Sequence, residues 1–454
     1  MRNKWKLGLM STLLACTTFT SVAFAAEKPV DQPKWEEWLN GHAKILNEPT
    51  SQTREDLSFL KEAVQDKRIV VLGESTHGAK EINQSKIRMI KYLHEEMGYD
   101  VIAFETGLGE AAAVQQNFDN LTATEAMKQS LYPVWQTEEL EQLFTYMKEQ
   151  KEKETPLTLA GFDMNLFYKS SFRSYAKEWL QKVNPEVASE FDTAVSELIE
   201  LDRYYNKNKT YPYDRFKMEI QPVINKFEKV RMFIQNHKSE LILVAPHPTY
   251  DVNLFEKSIS IRIDAIKTHL DADMKVRGGI SSPNSFYIRD QKMAQNFAWL
   301  TEMQYKNKKI IVWGHNYHIR KQNSKMILDF TKVQQYNYVG PNMMDYLPQH
   351  IKDQMYTIGV FAYSGSSWDD VNENVIPVHN EHEEQSVEKI ISTVGSPHVF
   401  VNLKGESNRP ETSWMFTPTA ASYWGNKLKE EIMIPTEQYD GILWLEKTTP
   451  SVLK

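Results

Sequence analysis

Short apolar runs separated by helical stretches begin at Lys67 and continue almost to the end of the chain. The runs are RIVVLG (Arg68 to Gly73), DVIAFE (Asp100 to Glu105), LTLAGFD (Leu157 to Asp163), KKIIVWGHN (Lys308 to Asn316), MYTIGVFAYSG (Met355 to Gly365) and HVFVNL (His398 to Leu403). Each is short and apolar at its centre, as expected of a strand buried on both faces. Between the first two, Ile82, Met89, Ile90, Leu93 and Met97 recur at helical spacing, and Gly98 supplies a stop. Strand, helix, strand over this distance is a βαβ unit. The pattern therefore predicts an α/β fold, a mostly parallel sheet flanked by helices.

Two stretches depart from the alternation. Residues 26–66 form a polar lead-in with one or two helices, such as PKWEEWLNGHAKIL. Between Gly161 and Gly278 no glycine occurs, although the chain has 18. Inside that gap Asn184-Pro185-Glu186 reads as a helix start, followed by Val187, Phe191, Ala194, Val195 and Leu198 at three-to-four spacing. Residues 165–275 are accordingly expected to be a helical insertion covering the active-site edge, dividing the α/β core into 67–164 and 276–454. Within it, LDRYYNKNKTYPYDRF (Leu201 to Phe216) is rich in tyrosine and suits either a pocket lining or a solvated connection between helices.

Composition changes the picture first at the N-terminus. A basic start, MRNKWK, precedes an apolar run from Leu7 to Ala25 that ends in Ala23-Phe24-Ala25. This is the pattern of a secretory signal peptide, residues 1–25, cleaved after Ala25, and it predicts a secreted or extracytoplasmic protein. A lipid anchor on Cys16 is the alternative, disfavoured because the apolar run continues beyond it. No later run approaches the roughly 18–20 apolar residues of a membrane helix, so no integral membrane segment is expected in the mature chain. Cys16 is the one cysteine of the sequence, which leaves the mature chain without disulfides, thiolate metal sites or a cysteine nucleophile. Removing residues 1–25 takes away Arg2, Lys4 and Lys6 and no acids, so a net charge of −7 becomes −10. A surface this acidic, without a basic stripe, argues against nucleic-acid binding.

The candidate chemistry lies where the apolar runs end. In open α/β sheets ligands bind at the carboxyl ends of strands. Glu74 and His77 follow the first run, Glu105 ends the second, and His315 and His318 follow the fourth. An imidazole suits proton transfer near neutral pH and needs a partner to fix its tautomer, which Glu74 or Glu105 supplies for His77. His315 and His318, three apart, suit one face of a helical turn that binds substrate or a developing oxyanion. No protein nucleophile stands out, which favours water as the attacking group. Lys86 falls on the apolar face of the first helix, where a cation is costly unless paired. It is expected to reach Glu74 or Glu105 and to bind substrate. Arg88 points elsewhere and is expected to be solvated, as are His379 and His382 in the acidic stretch VHNEHEE.

Two rival constellations share these residues. Gly73-Glu74-Ser75-Thr76-His77 begins like a nucleophile elbow around Ser75, but His77 occupies the position that must be small. Alternatively Glu74, His77, His315 and His318 offer ligands to a divalent metal such as zinc or manganese, although neither pair has a specific metal spacing.

VVLGESTHGAKEI, IAFETG, LYPVWQTEEL, AGFDMN, YIRDQKMAQN, IIVWGHNYHI and GVFAYSG together resemble the erythromycin esterase family, in the family's order and from about residue 60 to near the C-terminus. The resemblance implies a hydrolase without a cofactor, in which a histidine activates water to open an ester or lactone, as in a macrolide. By position His77 matches the general base, Glu74 and Glu105 the neighbouring carboxylates, and His315 and His318 the histidines of the second half. Lys86 stands where well-studied members carry arginine, a point charge in place of a planar fork. Metal-dependent members of a wider group, and a non-catalytic binding relative, stay open as alternatives.

Overall fold

A computed structural model describes residues 31–164, 171–208, 211–245, 251–326, 340–369, 373–424 and 428–454. The expected signal peptide, its cleavage site and Cys16 lie outside the described residues. The strands are β1 (Lys44–Ile45), β2 (Ile69–Leu72), β3 (Val101–Gly107), β4 (Thr158–Asp163), β5 (Ile310–Trp313), β6 (Met355–Ala362), β7 (Ser366–Asp369), β8 (Asn374–Pro377), β9 (His398–Asn402), β10 (Thr419–Trp424), β11 (Leu428–Met433) and β12 (Gly441–Leu445). Eight of them form one sheet in the order β1-β9-β12-β6-β2-β5-β3-β4. From β12 to β4 every neighbouring pair is parallel, and β9 runs antiparallel to β12 and β1. The α/β fold with a mostly parallel sheet is thus as the pattern predicts. Each of the six apolar runs became a strand. β12, GILWL, lies outside those six runs and fills the place between β9 and β6.

The period-two geometry of strands divides the core cleanly. Val70, Leu72, Ile102 and Phe104 point into one apolar cluster, which packs against the helices Lys80–Met97 and Glu138–Glu152. Ile69, Val71, Val101 and Ala103 point into the other, with Met293 and Phe297 of the helix Ser285–Trp299. The helix Lys80–Met97 ends where expected, because Gly98 adopts φ +69° and its N–H donates back to the carbonyls of His94 and Leu93.

Between β4 and β5 most of the described residues are helical, and the helices enclose a third cluster that includes Trp179, Phe191, Phe227 and Phe255. The helix Pro185–Lys207 starts at the predicted cap, with the Asn184 side chain accepting from the N–H groups of Glu186 and Val187. Val187, Phe191, Ala194, Val195 and Leu198 are buried. Two segments, Ala265–Leu270 and Leu300–Gln304, are π-helical, which apolar spacing gave no means of seeing.

Arg88 is not solvated: its guanidinium donates to Asp56 at 2.7 and 3.2 Å and to the carbonyls of Ser51 and Thr53 at 3.1 and 2.6 Å. It fastens the lead-in loop to the helix Lys80–Met97, and the partners lie in a segment whose polar sequence gave no hint of them. His379 and His382 lie in a loop but are half-buried, and the ring of His382 bonds the Tyr363 carbonyl at 2.7 Å.

Candidate functional site

Sheet order decides the site. β2, β5, β3 and β4 are consecutive neighbours, so their carboxyl ends bring together residues more than 200 positions apart. β2 ends at Leu72, and Gly73 to Ala79 turn before the helix begins at Lys80. A side chain at position 73 does not fit, since a Cβ would lie 2.0 Å from the Asn316 side-chain oxygen. Asn316 in turn bonds both backbone groups of Val360 on β6, and its own N–H donates to the Glu74 carbonyl at 2.9 Å. The turn after β5 therefore clamps the turn after β2. The two pairs separated in sequence, Glu74 with His77 and His315 with His318, are brought to one place.

Glu74 is fully buried and shares its carboxylate three ways. Oε1 lies 2.6 Å from His77 Nδ1 and accepts from Trp135 Nε1 at 3.0 Å, while Oε2 accepts from Lys86 Nζ at 2.7 Å. Burial pushes the Glu74 pKa up, but the Lys86 charge and the His77 contact outweigh it and hold it at about 2. Lys86 is also fully buried, with its ammonium 3.6 Å above the Trp313 ring. Burial lowers its pKa to about 8 against the attraction of Glu74 and Glu105. Lys86 thus reaches Glu74, as one of the two expected partners. For direct substrate contact, the other part of the expectation, it is poorly placed, closed between a carboxylate and an indole. His77 is the exposed member of the group, its side chain 19% accessible against 0% for Glu74 and Lys86.

Glu105 lies within β3, where the pairing with β4 shifts register between Phe104 and Gly107. Such irregularities turn side chains out of the regular alternation. Its Oε2 accepts from the His315 backbone N–H at 2.9 Å and its Oε1 from Arg289 Nη2 at 2.9 Å. His315 caps the short helix Asn316–Ile319 with its ring: Nδ1 accepts from the Tyr317 N–H at 3.1 Å, which places the ring proton on Nε2. Burial, with His77 and His318 nearby, holds its pKa well below the ordinary range, so the ring is neutral. It packs edge-on to His77 with ring centres 5.0 Å apart.

His318 faces three carboxyl and guanidinium groups. Nδ1 lies 2.8 Å from Asp290 Oδ1, and Nε2 lies 3.4 Å from Glu105 Oε1 and 3.2 Å from Arg289 Nη1. Burial lowers its pKa, but Asp290 and Glu105 outweigh this and the net shift is upward. Asp290 is itself fixed by the Met343 N–H at 2.8 Å. Arg289 spans from Glu105 to Asp163, donating to Asp163 Oδ2 at 2.6 Å, and Tyr132 donates to the same oxygen at 3.2 Å.

Five partners of the site were not found by sequence reasoning: Trp135, Asp163, Arg289, Asp290 and Tyr132. All five fall in the stretches LYPVWQTEEL, AGFDMN and YIRDQKMAQN that carried the family resemblance, and that was the signal available. The two rival constellations find little support in the geometry. Four residues separate Ser75 from the helix at Lys80, so the sharp strand–turn–helix of a serine elbow is not formed. For a metal, both Glu74 oxygens are engaged and an ammonium sits beside them. Among the described residues no group of three or more His, Cys, Asp or Glu side chains is arranged to hold an ion.

The fold is α/β, and at the carboxyl edge of its parallel strands it gathers imidazole, carboxylate and cationic side chains, groups capable of proton transfer. The chain belongs to the erythromycin esterase family of hydrolases: the family's model matches residues 94–448. It is 43% identical over 446 residues to "Putative hydrolase YbfO" of Bacillus subtilis (strain 168), with 97% of each chain covered. It is 24% identical over 443 residues to erythromycin esterase type II of Escherichia coli, covering 92% of this chain and 99% of the relative. Among solved structures, a mutant of the erythromycin esterase EreC in its open conformation superposes with a TM-score of 0.60 at 15% identity. That match covers 89% of this chain and 97% of the other and speaks for the fold.

Proposed function

We propose that this protein is an exported carboxylic ester hydrolase in which His77 is the general base. One observation carries the reading: His77 is the exposed tip of an otherwise closed network. Glu74 stays ionised and accepts a hydrogen bond from His77 Nδ1–H at 2.6 Å, so proton exchange with water falls to Nε2. His77 removes a proton as the water oxygen bonds to the ester or lactone carbonyl carbon. The imidazolium, stabilised by Glu74, then gives that proton to the departing alkoxide as the C–O bond breaks. Arg289, which donates to Glu105 and lies 3.2 Å from His318, brings a guanidinium to the same strand edge and is our candidate for stabilising the developing oxyanion. Lys86 acts through Glu74 as a positioning group.

The name of the Escherichia coli relative supports an ester or lactone substrate, with a macrolide as one candidate. The signal-peptide pattern of residues 1–25 supports action outside the cytoplasm. His77→Ala, tested on a panel of macrolides and simple esters, should lower kcat/KM by about 10²–10⁴-fold without altering the circular dichroism. Undiminished turnover would defeat the assignment. Activity should survive a chelator; loss on chelation with recovery on added zinc or manganese would favour the metallohydrolase alternative. Tight binding without product would favour a non-catalytic relative.

A further inference from the structure

Tyr132 belongs to two places at once. Its hydroxyl donates to Asp163 in the charged cluster, and its ring lies 6.3 Å from that of Trp135, whose indole is 5.2 Å from the His77 ring. Tyr132 also lines a cavity of about 300 Å³. The rest of the wall comes from the helices Pro185–Lys207 and Asp271–Arg277 and from the π-helical segment Ala265–Leu270 between them. π-helical turns recur at binding sites because the wider turn re-aims side chains. Here that turn contributes Ile266, His269 and Leu270 to the wall.

We infer that this cavity is a specificity subsite of the proposed active site, taking a ring-sized, hydrogen-bond-donating group of the substrate at a distance from the scissile ester. The inference rests on the hydrolase reading of the His77 cleft. The cavity's volume suits one or two rings, and its tyrosines offer flat apolar faces beside the polar groups. Its charged groups lean acidic. Asp202, one oxygen of which accepts from the Asn206 amide at 3.2 Å, and Asp273 bring two carboxylates, against the single Arg277 guanidinium, which donates to the Tyr205 carbonyl at 3.1 Å and to the Asn206 side chain at 3.3 Å. His269, with Nδ1 4.0 Å from Asp273, is kept neutral by burial. A lining with two acids and one committed cation favours a ligand bringing hydroxyl or ammonium donors and disfavours a carboxylate. Binding a remote group here would orient the ester at His77, which is how contacts away from the reacting bond raise its rate.

The probes are p-nitrophenyl hexanoates carrying, at the far carbon, a cyclohexyloxy, a β-glucosyloxy, a protonated piperidinyl or a carboxycyclohexyloxy group. The glucosyl or the piperidinyl ester should exceed the cyclohexyl ester about tenfold in kcat/KM, and the carboxylated ester should fall below it. Which of the two donors wins identifies hydroxyl or ammonium as the natural group. Asp202→Asn and, independently, Asp273→Asn should erase the preference. Equal values for all four esters, or a preference unchanged in both variants, would overturn the subsite while leaving His77-dependent hydrolysis standing. Calorimetric titration with the matching N-methyl amides reads the subsite without turnover. If no ester is cleaved, selective binding of the glucosyl or piperidinyl amide that Asp202→Asn abolishes upholds the subsite and the hydrolase reading alone falls. Absence of selective binding overturns the subsite.

Discussion

Replacing Lys86 by methionine tests the electrostatics of the site most directly. Methionine approximates the lysine stem, so the change removes the ammonium with little change of volume. Glu74 then loses its 2.7 Å partner in a setting with no accessible surface. Removing one member of a buried ion pair costs about 3–5 kcal/mol, because the remaining charge is unpaired. The Glu74 pKa gives a second route to the size. Depression from 4.5 to about 2 corresponds to about 3 kcal/mol favouring the ionised form in the folded protein. Since the folded pKa is below the unfolded one, this stabilisation is fully present above about pH 4.5 and is lost as pH falls through about 2. Urea denaturation at pH 7 followed by tryptophan fluorescence should therefore show Lys86→Met destabilised by about 3–5 kcal/mol, with the gap narrowing toward pH 3. The double variant Lys86→Met/Glu74→Gln should regain most of the stability, since neither buried charge remains, yet stay inactive because His77 has lost its carboxylate. A single variant within about 0.5 kcal/mol of the parent, or a gap that does not depend on pH, would refute the reasoning.

Other consequences follow from the same geometry. Lys86, with a pKa of about 8 and facing Glu74 and Glu105, should give kcat an alkaline limb near pH 8, and Lys86→Arg, which stays charged throughout, should lose that limb. Gly73→Ala should cost about 1–3 kcal/mol in denaturant and lower kcat, because the new methyl group displaces the Asn316 side chain that ties the two histidine turns together. Arg88→Ala should cost about 3 kcal/mol and expose residues 47–56 to limited proteolysis, with KM for small esters unaltered.

The buried charges differ in purpose from surface ion pairs. Exposed pairs such as Lys61 with Glu96 contribute little net stability. The Glu74–Lys86 pair is desolvated on all sides, and the ammonium holds Glu74 ionised. Such a pair stabilises the fold weakly relative to an apolar substitute, but it fixes one carboxylate oxygen against His77. The Arg289, Asp163 and Glu105 contacts do the same for the wall that carries His318.

The sequence by itself determined the elements. Apolar runs became β2, β3, β4, β5, β6 and β9, the helix after β2 stopped at Gly98, and Asn184 capped its helix as its type and neighbours required. These features are local, set by side-chain period, backbone freedom and the need to satisfy the first N–H groups of a helix. Glu74, His77, Glu105, His315 and His318 were legible for a related reason, since polar groups crowd the ends of strands that are otherwise apolar. Tertiary structure alone decided which ends are neighbours. Insertion of β5 between β2 and β3 brings His315 against His77, and strand order is not written in any local spacing. The same holds for Trp135, Asp163, Arg289 and Asp290, which look like ordinary polar or aromatic positions until long-range packing sets them beside the histidines. Arg88 shows the converse: its position on the helix was clear, but its partners in the lead-in loop existed only once the chain had folded back.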